Sequence, residues 1–227
     1  MQGRTVYARI LSFCHYFKNI LPVFVPPDII GTITKEEWKM NPILIDFPEI
    51  IAETERLYIR PCLPGDGKDV YDAVIASKDE LKKWLPFAAK EQSLEETEAG
   101  IRRSYAQFWL REDIRLHIYR KEDGQFIGST GLHRIDWEAR RFEIGYWCDS
   151  RHHKKGYISE AVEALIEFTF SSLSANRIEI RCDPENTASR KIPERLGFTL
   201  EATLRKNTLC ASGDVLRDTC IFAKLKE

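Results

Sequence analysis

The chain carries almost no net charge: 34 lysines and arginines against 35 aspartates and glutamates leave −1 at neutral pH. A strongly basic domain is the usual footprint of a nucleic-acid surface, so that class loses its main support and only a local patch stays open. Cysteine has no pattern. The six residues at 14, 62, 148, 182, 210 and 220 form no C-x-x-C pair, and the five histidines never stand at metal-ligand spacing from them. His152 and His153 follow Cys148, but adjacent loop residues rarely point the same way and nothing completes a ligand set, so no metal is expected. The thiols read as reduced and mostly buried, in a cytoplasmic protein.

Long apolar runs are also missing. Val6 to Val25 is apolar and aromatic, yet Arg9, His15 and Lys18 interrupt it and Pro22, Pro26 and Pro27 punctuate its end, which excludes a bilayer span and breaks any signal-peptide core. Residues 1–39 are therefore expected to be an extension, 40–52 a lead-in and 53–227 one domain. Lys35 to Met40 is encodable by a purine-rich ribosome-binding sequence beside a start codon, so Met40 is expected to be a bacterial start and 1–39 a translated leader. The alternative is an N-terminal arm packing on the domain. Intact protein beginning at Met1 refutes the leader.

What is present is ordinary globular patterning, 43% hydrophobic and 30% charged, with no repeat or low-complexity tract after Met40. Leu57 to Arg60 alternates as a first strand, and Val70, Tyr71, Val74 and Ile75 space as a first helix. Ser77 to Trp84 reads as a second, short one stopped by Pro86. Ser93 and Glu96 make a capping box for a helix with the apolar stripe Ile101, Tyr105, Phe108 and Trp109. Leu116–Lys121 and Phe126–Ile135 form a hairpin across Asp123-Gly124, with a strand from Phe142 beside it. A helix after Gly156, a strand over Arg177–Cys182, a short Asn186-capped helix kinked by Pro193 and ended by Gly197, and a hairpin of Phe198–Asn207 with Val215–Lys224 complete the chain. The fold class is α/β (α+β mixed): a mostly antiparallel twisted sheet with one βαβ crossover and helices on both faces.

The stretch Glu143 to Glu160 joins a strand, a basic loop and a helix start. Free N–H groups there, the positive end of the helix dipole and the charges of Arg151, Lys154 and Lys155 suit an anion such as phosphate. A solvated connection is the plainer reading of the same charges.

Glu143-Ile-Gly-Tyr-Trp, Lys155-Gly-Tyr-Ile-Ser-Glu-Ala, and Asn186-Thr-Ala-Ser189 running to Glu194-Arg-Leu-Gly-Phe198 occur together in this order. On them the chain resembles the GNAT N-acetyltransferase superfamily, in particular its RimJ/RimL branch, which acetylates N-terminal amines of ribosomal proteins. The resemblance covers about Glu53 to Leu225, with Thr54-Glu-Arg-Leu57, Arg60-Pro61 and Trp84-Leu-Pro86 as looser matches. It implies a GNAT-like fold and acetyl-CoA as acyl donor, with the pyrophosphate on the loop and pantetheine against the strand. The residues so assigned are Trp147, Cys148, Asp149, His153, Lys154, Lys155, Gly156, Tyr157, Ile158, Asn186 and Ser189. The family motif R/Q-x-x-G-x-G/A falls on His153, Gly156 and Ile158, so two of its three positions depart, and lower cofactor affinity is expected.

Amide formation needs a base for the amine, a stabilised oxyanion and a proton for the thiolate. Glu143 is expected as the base, directly or through water, on the strand face that Gly145 leaves open to substrate; the alternative is a cross-strand salt bridge to an arginine. The oxyanion is expected to meet a backbone N–H near Cys148. Ser189 is expected to protonate the thiolate and Asn186 to bind pantetheine or acceptor, both compatibly with helix capping. Trp84, Phe87, Tyr105 and Trp109 are expected to line the acceptor groove. Acceptors in view are a protein N-terminus or a small amine such as a polyamine, antibiotic or amino acid; a non-catalytic CoA-binding module is the non-enzymatic alternative. No nucleic-acid or membrane partner is expected, and the protein is read as a monomer or homodimer.

Overall fold

A computed structural model describes residues 41–227; the extension 1–39 and the proposed start at Met40 lie outside the described residues. Chain order is β1 (Ala52–Glu53), β2 (Leu57–Pro61), α1 (Gly67–Ala76), α2 (Lys78–Leu81), α3 (Pro86–Ala89), α4 (Leu94–Leu110), β3 (Ile114–Arg120), β4 (Phe126–Asp136), β5 (Arg141–Cys148), α5 (Tyr157–Ser171), β6 (Arg177–Cys182), α6 (Thr187–Arg195), β7 (Thr199–Leu209) and β8 (Leu216–Leu225). The strands form one sheet in the order β1-β2-β3-β4-β5-β6-β8-β7. Every neighbouring pair is antiparallel except β5 and β6, which α5 links as the single crossover.

Alternation along β5 sends its side chains to opposite layers. Phe142 and Ile144 join Ile178 and Ile180 of β6 against Ala161, Val162, Leu165 and Ile166 of α5. Trp147 faces the other layer, with Val70 and Ala73 of α1, Leu81, Ala88 and Ile101. Fully burying a side chain such as Leu165 contributes about 1.5–3 kcal/mol, so both layers are fixed to the sheet. The lead-in packs too: Phe47 lies against the rings of Phe108 and Phe168, and the Ile45 carbonyl accepts from the Arg111 guanidinium.

Ser93 and Glu96 form the expected capping box at the start of α4. Pro86 does not stop a helix but begins α3, because proline at the first helical position gives up an N–H that has no partner there anyway. The short strand β1, pairing with β2 before the expected first strand, is an addition to the sequence reading. Pro193 lies inside α6, and Gly197 turns the chain out of it with φ +75°.

Candidate active site

The parallel ladder between β5 and β6 holds only three residue pairs, Arg141–Arg177 to Glu143–Glu179. Both strands continue past it on their outer neighbours: Cys148 pairs with Gly128 of β4, and Cys182 with Cys220 of β8. The strands therefore part beyond Glu143. The Asp149 N–H donates to the Ile127 carbonyl at 2.9 Å. By the alternation of backbone groups, Trp147, opposite Ser129, also turns its N–H and C=O toward β4. The backbone edge facing the gap thus belongs to Tyr146 and Cys148. Trp147, expected among the residues against the cofactor, therefore has no backbone group on that edge, and its buried side chain packs near Phe87 and Phe126.

α6 closes the far side of the gap. Asn186 caps it, accepting from the Ser189 N–H at 3.1 Å. The Tyr146 hydroxyl donates to the Ser189 carbonyl at 2.9 Å, and Ser189 Oγ lies 3.3 Å from that hydroxyl. Burial raises the pKa of the Tyr146 hydroxyl, and it pushes the Cys148 thiol up to about 12, so both stay protonated. Tyr146, absent from the expected site, stands beside Ser189.

The loop after β5 spends part of its charge internally. Asp149 is fully buried and takes the Arg151 N–H and guanidinium. Burial pushes this carboxyl up, but the bonds from Arg151 outweigh it and hold it below the usual carboxylate range. His153 sits 2.9 Å from Glu80 and 3.3 Å from the Cys148 carbonyl. Lys154 and Lys155 remain exposed. Lys154 (φ +60°) and Gly156 (φ +82°) both adopt left-handed backbone, and α5 starts at Tyr157 with no side chain capping it, so its first N–H groups are open. Arg56 braces the loop: it bonds Glu160 and the Lys155 carbonyl, and its guanidinium lies 4.6 Å from the Tyr157 ring centre. Tyr157 is buried and Ile158 packs against the core, so the bulk that departs from the family motif is directed inward.

Glu143 lies in the opposite layer. Arg134 of β4 and Arg181 of β6 each approach its Oε2 to 3.2 Å, so the ion pair weighed against catalysis is present. A bulge in β4 gives Arg134 φ +46° and aims it at Glu143. Burial raises the Glu143 pKa, while Arg134, Arg181 and His133 oppose it. Gly145 does not leave open space: a Cβ there would stand 2.9 Å from Cδ2 and 3.1 Å from Nε2 of His133, whose ring occupies the floor expected for substrate.

A family model described as an acetyltransferase (GNAT) domain matches residues 56–199. The chain belongs to the GNAT acetyltransferase family. YdaF of Bacillus subtilis (strain 168) is 34% identical over 155 residues, covering 66% of this chain and 82% of its own. The ribosomal-protein-serine acetyltransferase of Escherichia coli (strain K12) is 28% identical over 177 residues, 78% of this chain and 97% of its own. Among solved structures, RimL, a ribosomal L7/L12 α-N-protein acetyltransferase in complex with coenzyme A, superposes with a TM-score of 0.73 at 22% identity. It covers 78% of this chain and 98% of that one. The protein is an N-acetyltransferase.

Of the aromatics expected along the acceptor groove of this GNAT chain, Phe87 lies 6.1 Å from Trp147, and Tyr105 packs edge-on to Trp109. Trp84 sits under the Arg217 guanidinium of β8. Phe87 and Trp109 are 36% and 55% exposed, and their contacts differ: Phe87 borders Trp147, whereas Trp109 packs on Tyr105 and Phe108, so the four aromatics do not gather into one groove wall. A cavity of about 210 Å³ lies among α1, α3 and the start of α4 but contains none of the expected residues. One of about 30 Å³ is lined by Arg134, Glu143, Glu179 and Arg181. Among the described residues no group of three or more His, Cys, Asp or Glu is placed to hold a metal, and no helix is long and apolar enough to cross a membrane.

Proposed function

We propose that the protein transfers the acetyl group of acetyl-CoA to a primary amine, by direct attack on the thioester, with the N-terminal amine of a protein as acceptor. The observation that carries this reading is the three-pair ladder of β5 and β6, which leaves the Tyr146 and Cys148 edge without a strand partner. Pantetheine fits there as a missing strand. Its diphosphate follows onto the open N–H groups of α5, beside Lys154 and Lys155, where backbone and dipole both favour an anion. Arg56 and Glu160 keep that loop in shape. Arg151 and His153, tied to Asp149 and Glu80, contribute by shaping the loop rather than by meeting phosphate.

The amine attacks the thioester carbonyl from the face of Trp147 and Glu143, and the oxyanion meets the Cys148 N–H. The departing thiolate takes a proton from the Ser189 and Tyr146 hydroxyl pair. Glu143, held by Arg134 and Arg181, fixes the shape of this face rather than serving as a free base. The exposed Phe87 beside Trp147 suits an open approach such as a chain terminus needs, and the relation to a ribosomal-protein-serine acetyltransferase supports the same class of acceptor.

The test is incubation of the protein with acetyl-CoA and a panel of N-terminal peptides, polyamines and aminoglycosides, following free-thiol release. Turnover on peptides is expected. Turnover confined to a small amine overturns the acceptor class, and acetyl-CoA binding with no thiol release on any amine overturns the transferase reading.

A further inference from the structure

We propose that His133 accepts the proton of the acceptor amine through Nε2, with Asp113 as the residue that positions it; this rests on the acetyl-transfer reading above. His133 Nδ1 lies 2.7 Å from Asp113 Oδ2, in the turn between α4 and β3. A carboxylate at Nδ1 keeps the proton on that nitrogen and leaves the Nε2 lone pair free, the same logic by which an aspartate orients a histidine base. The ring is aimed by the sheet. His133 pairs with Glu143, and Gly131 pairs with Gly145 one step further along β5 toward Trp147. A Cβ on Gly131 would stand 3.1 Å from His133 Cε1 and Nε2, and one on Gly145 3.1 Å from Nε2. The imidazole thus lies across two facing glycines, leaning toward the end of β5 where the ladder with β6 is lost.

Accessibility separates His133 from Glu143. The histidine side chain is 32% exposed, whereas the Glu143 side chain is 17% exposed and both guanidiniums already share one of its oxygens. The charged groups around the ring are Asp113 from its turn, Arg115 on β3, which pairs with Gly131 and faces Asp113, Arg134 on β4, Glu143 on β5, and Glu179 and Arg181 on β6. An imidazolium formed during turnover has Asp113 as its direct counter-charge.

The acceptor arrives as an ammonium ion and loses one proton to Nε2. The amine nitrogen bonds to the thioester carbon, and the carbon–sulfur bond breaks. The second nitrogen proton ends on the CoA sulfur by way of the Tyr146 and Ser189 hydroxyls, and His133 returns its proton to solvent.

The experiment follows thiol release from acetyl-CoA with a serine-initiated peptide across pH, for wild type, His133→Asn, Asp113→Asn and Glu143→Gln. Asparagine at 133 retains a donor for Asp113 but has no Nε2. His133→Asn is expected to lower kcat/KM by about 100-fold and to abolish its acid limb, with acetyl-CoA binding and thermal melting retained and with partial rescue by added imidazole. Asp113→Asn is expected to fall by about 10-fold with the limb displaced, and Glu143→Gln to retain the limb. A His133→Asn enzyme within about threefold of wild type, or an acid limb lost only in Glu143→Gln, overturns the assignment while leaving acetyl transfer intact. Wild type that binds acetyl-CoA but releases no thiol on any amine of the panel overturns both.

Discussion

Stability should fall steeply in mild acid because of one buried histidine. His117 on β3 is wholly buried, with Nδ1 2.8 Å from Asp66 Oδ2 and no partner for Nε2. Asp66 precedes α1 and also takes two Arg60 hydrogen bonds at 2.8 Å. Burial pushes the Asp66 carboxyl up, but its bonds to His117 and Arg60 outweigh that and hold it far below the usual carboxylate range. For His117 burial wins over Asp66, and the ring pKa drops to about 4. In the unfolded chain it returns to roughly 6.5. Between those values the unfolded state binds one more proton than the fold, so the stability present above pH 6.5 is lost as pH falls toward 4. One proton corresponds to about 1.4 kcal/mol per pH unit, or about 2 kcal/mol between pH 6.5 and 5. Urea unfolding at pH 7 and pH 5 reads this directly, with His117→Asn as control because it retains a donor to Asp66 and removes the titrating ring. His152, whose pKa is also lowered by burial, titrates in both proteins and cancels. The variant is expected to be less stable at pH 7 yet to lose about 2 kcal/mol less on acidification. Equal losses in the two proteins refute the reasoning.

Two further outcomes concern the site. Glu160→Gln removes the charge that holds Arg56 and Thr54 against the loop, so KM for acetyl-CoA should rise about 10-fold in steady-state assays while kcat changes little. Ser189→Ala should lower kcat by about 10-fold or less, since Tyr146 and solvent can still protonate the thiolate, whereas Tyr146→Phe, which removes the hydroxyl from both of its Ser189 contacts, should cost more. Equal kcat in the two variants at saturating acetyl-CoA argues against a hydroxyl relay.

Much of this architecture is legible because periodicity and glycine placement report it locally. β6 has the bounds that alternating Ile178, Ile180 and Cys182 set, and α5 starts one residue after Gly156, whose positive φ the loop requires. Asn186 caps α6 as its residue type suggests. What periodicity does not carry is pairing. The seat of His133 over Gly131 and Gly145 depends on the register of β4 against β5, and the reach of Arg134 to Glu143 on a bulge with left-handed backbone at an arginine. Arg56 and Glu160 are 104 positions apart, and only the fold brings them together. Pro86 shows a local ambiguity: proline, which often marks the end of a helix, here begins one, while α2 already ends at Leu81.

The location of the proposed site follows from how the sheet is supported. β5 keeps its pairing to β4 as far as Cys148, and β6 keeps its pairing to β8 as far as Cys182, so losing the contact between β5 and β6 unfolds neither strand. The loss falls on a few backbone groups of half-buried Tyr146 and Cys148 that face the gap without a strand partner, His153 Nε2 lying 3.3 Å from the Cys148 carbonyl, and backbone groups left without strong partners are costly. A ligand that presents its own amide donors and acceptors in extended form relieves that cost, and one that ends in an anion also satisfies the uncapped start of α5. The two incomplete elements meet in the eight residues from Asp149 to Gly156. A substitution that restored pairing between β5 and β6, or supplied a cap to α5, would thus stabilise the fold at the expense of the site.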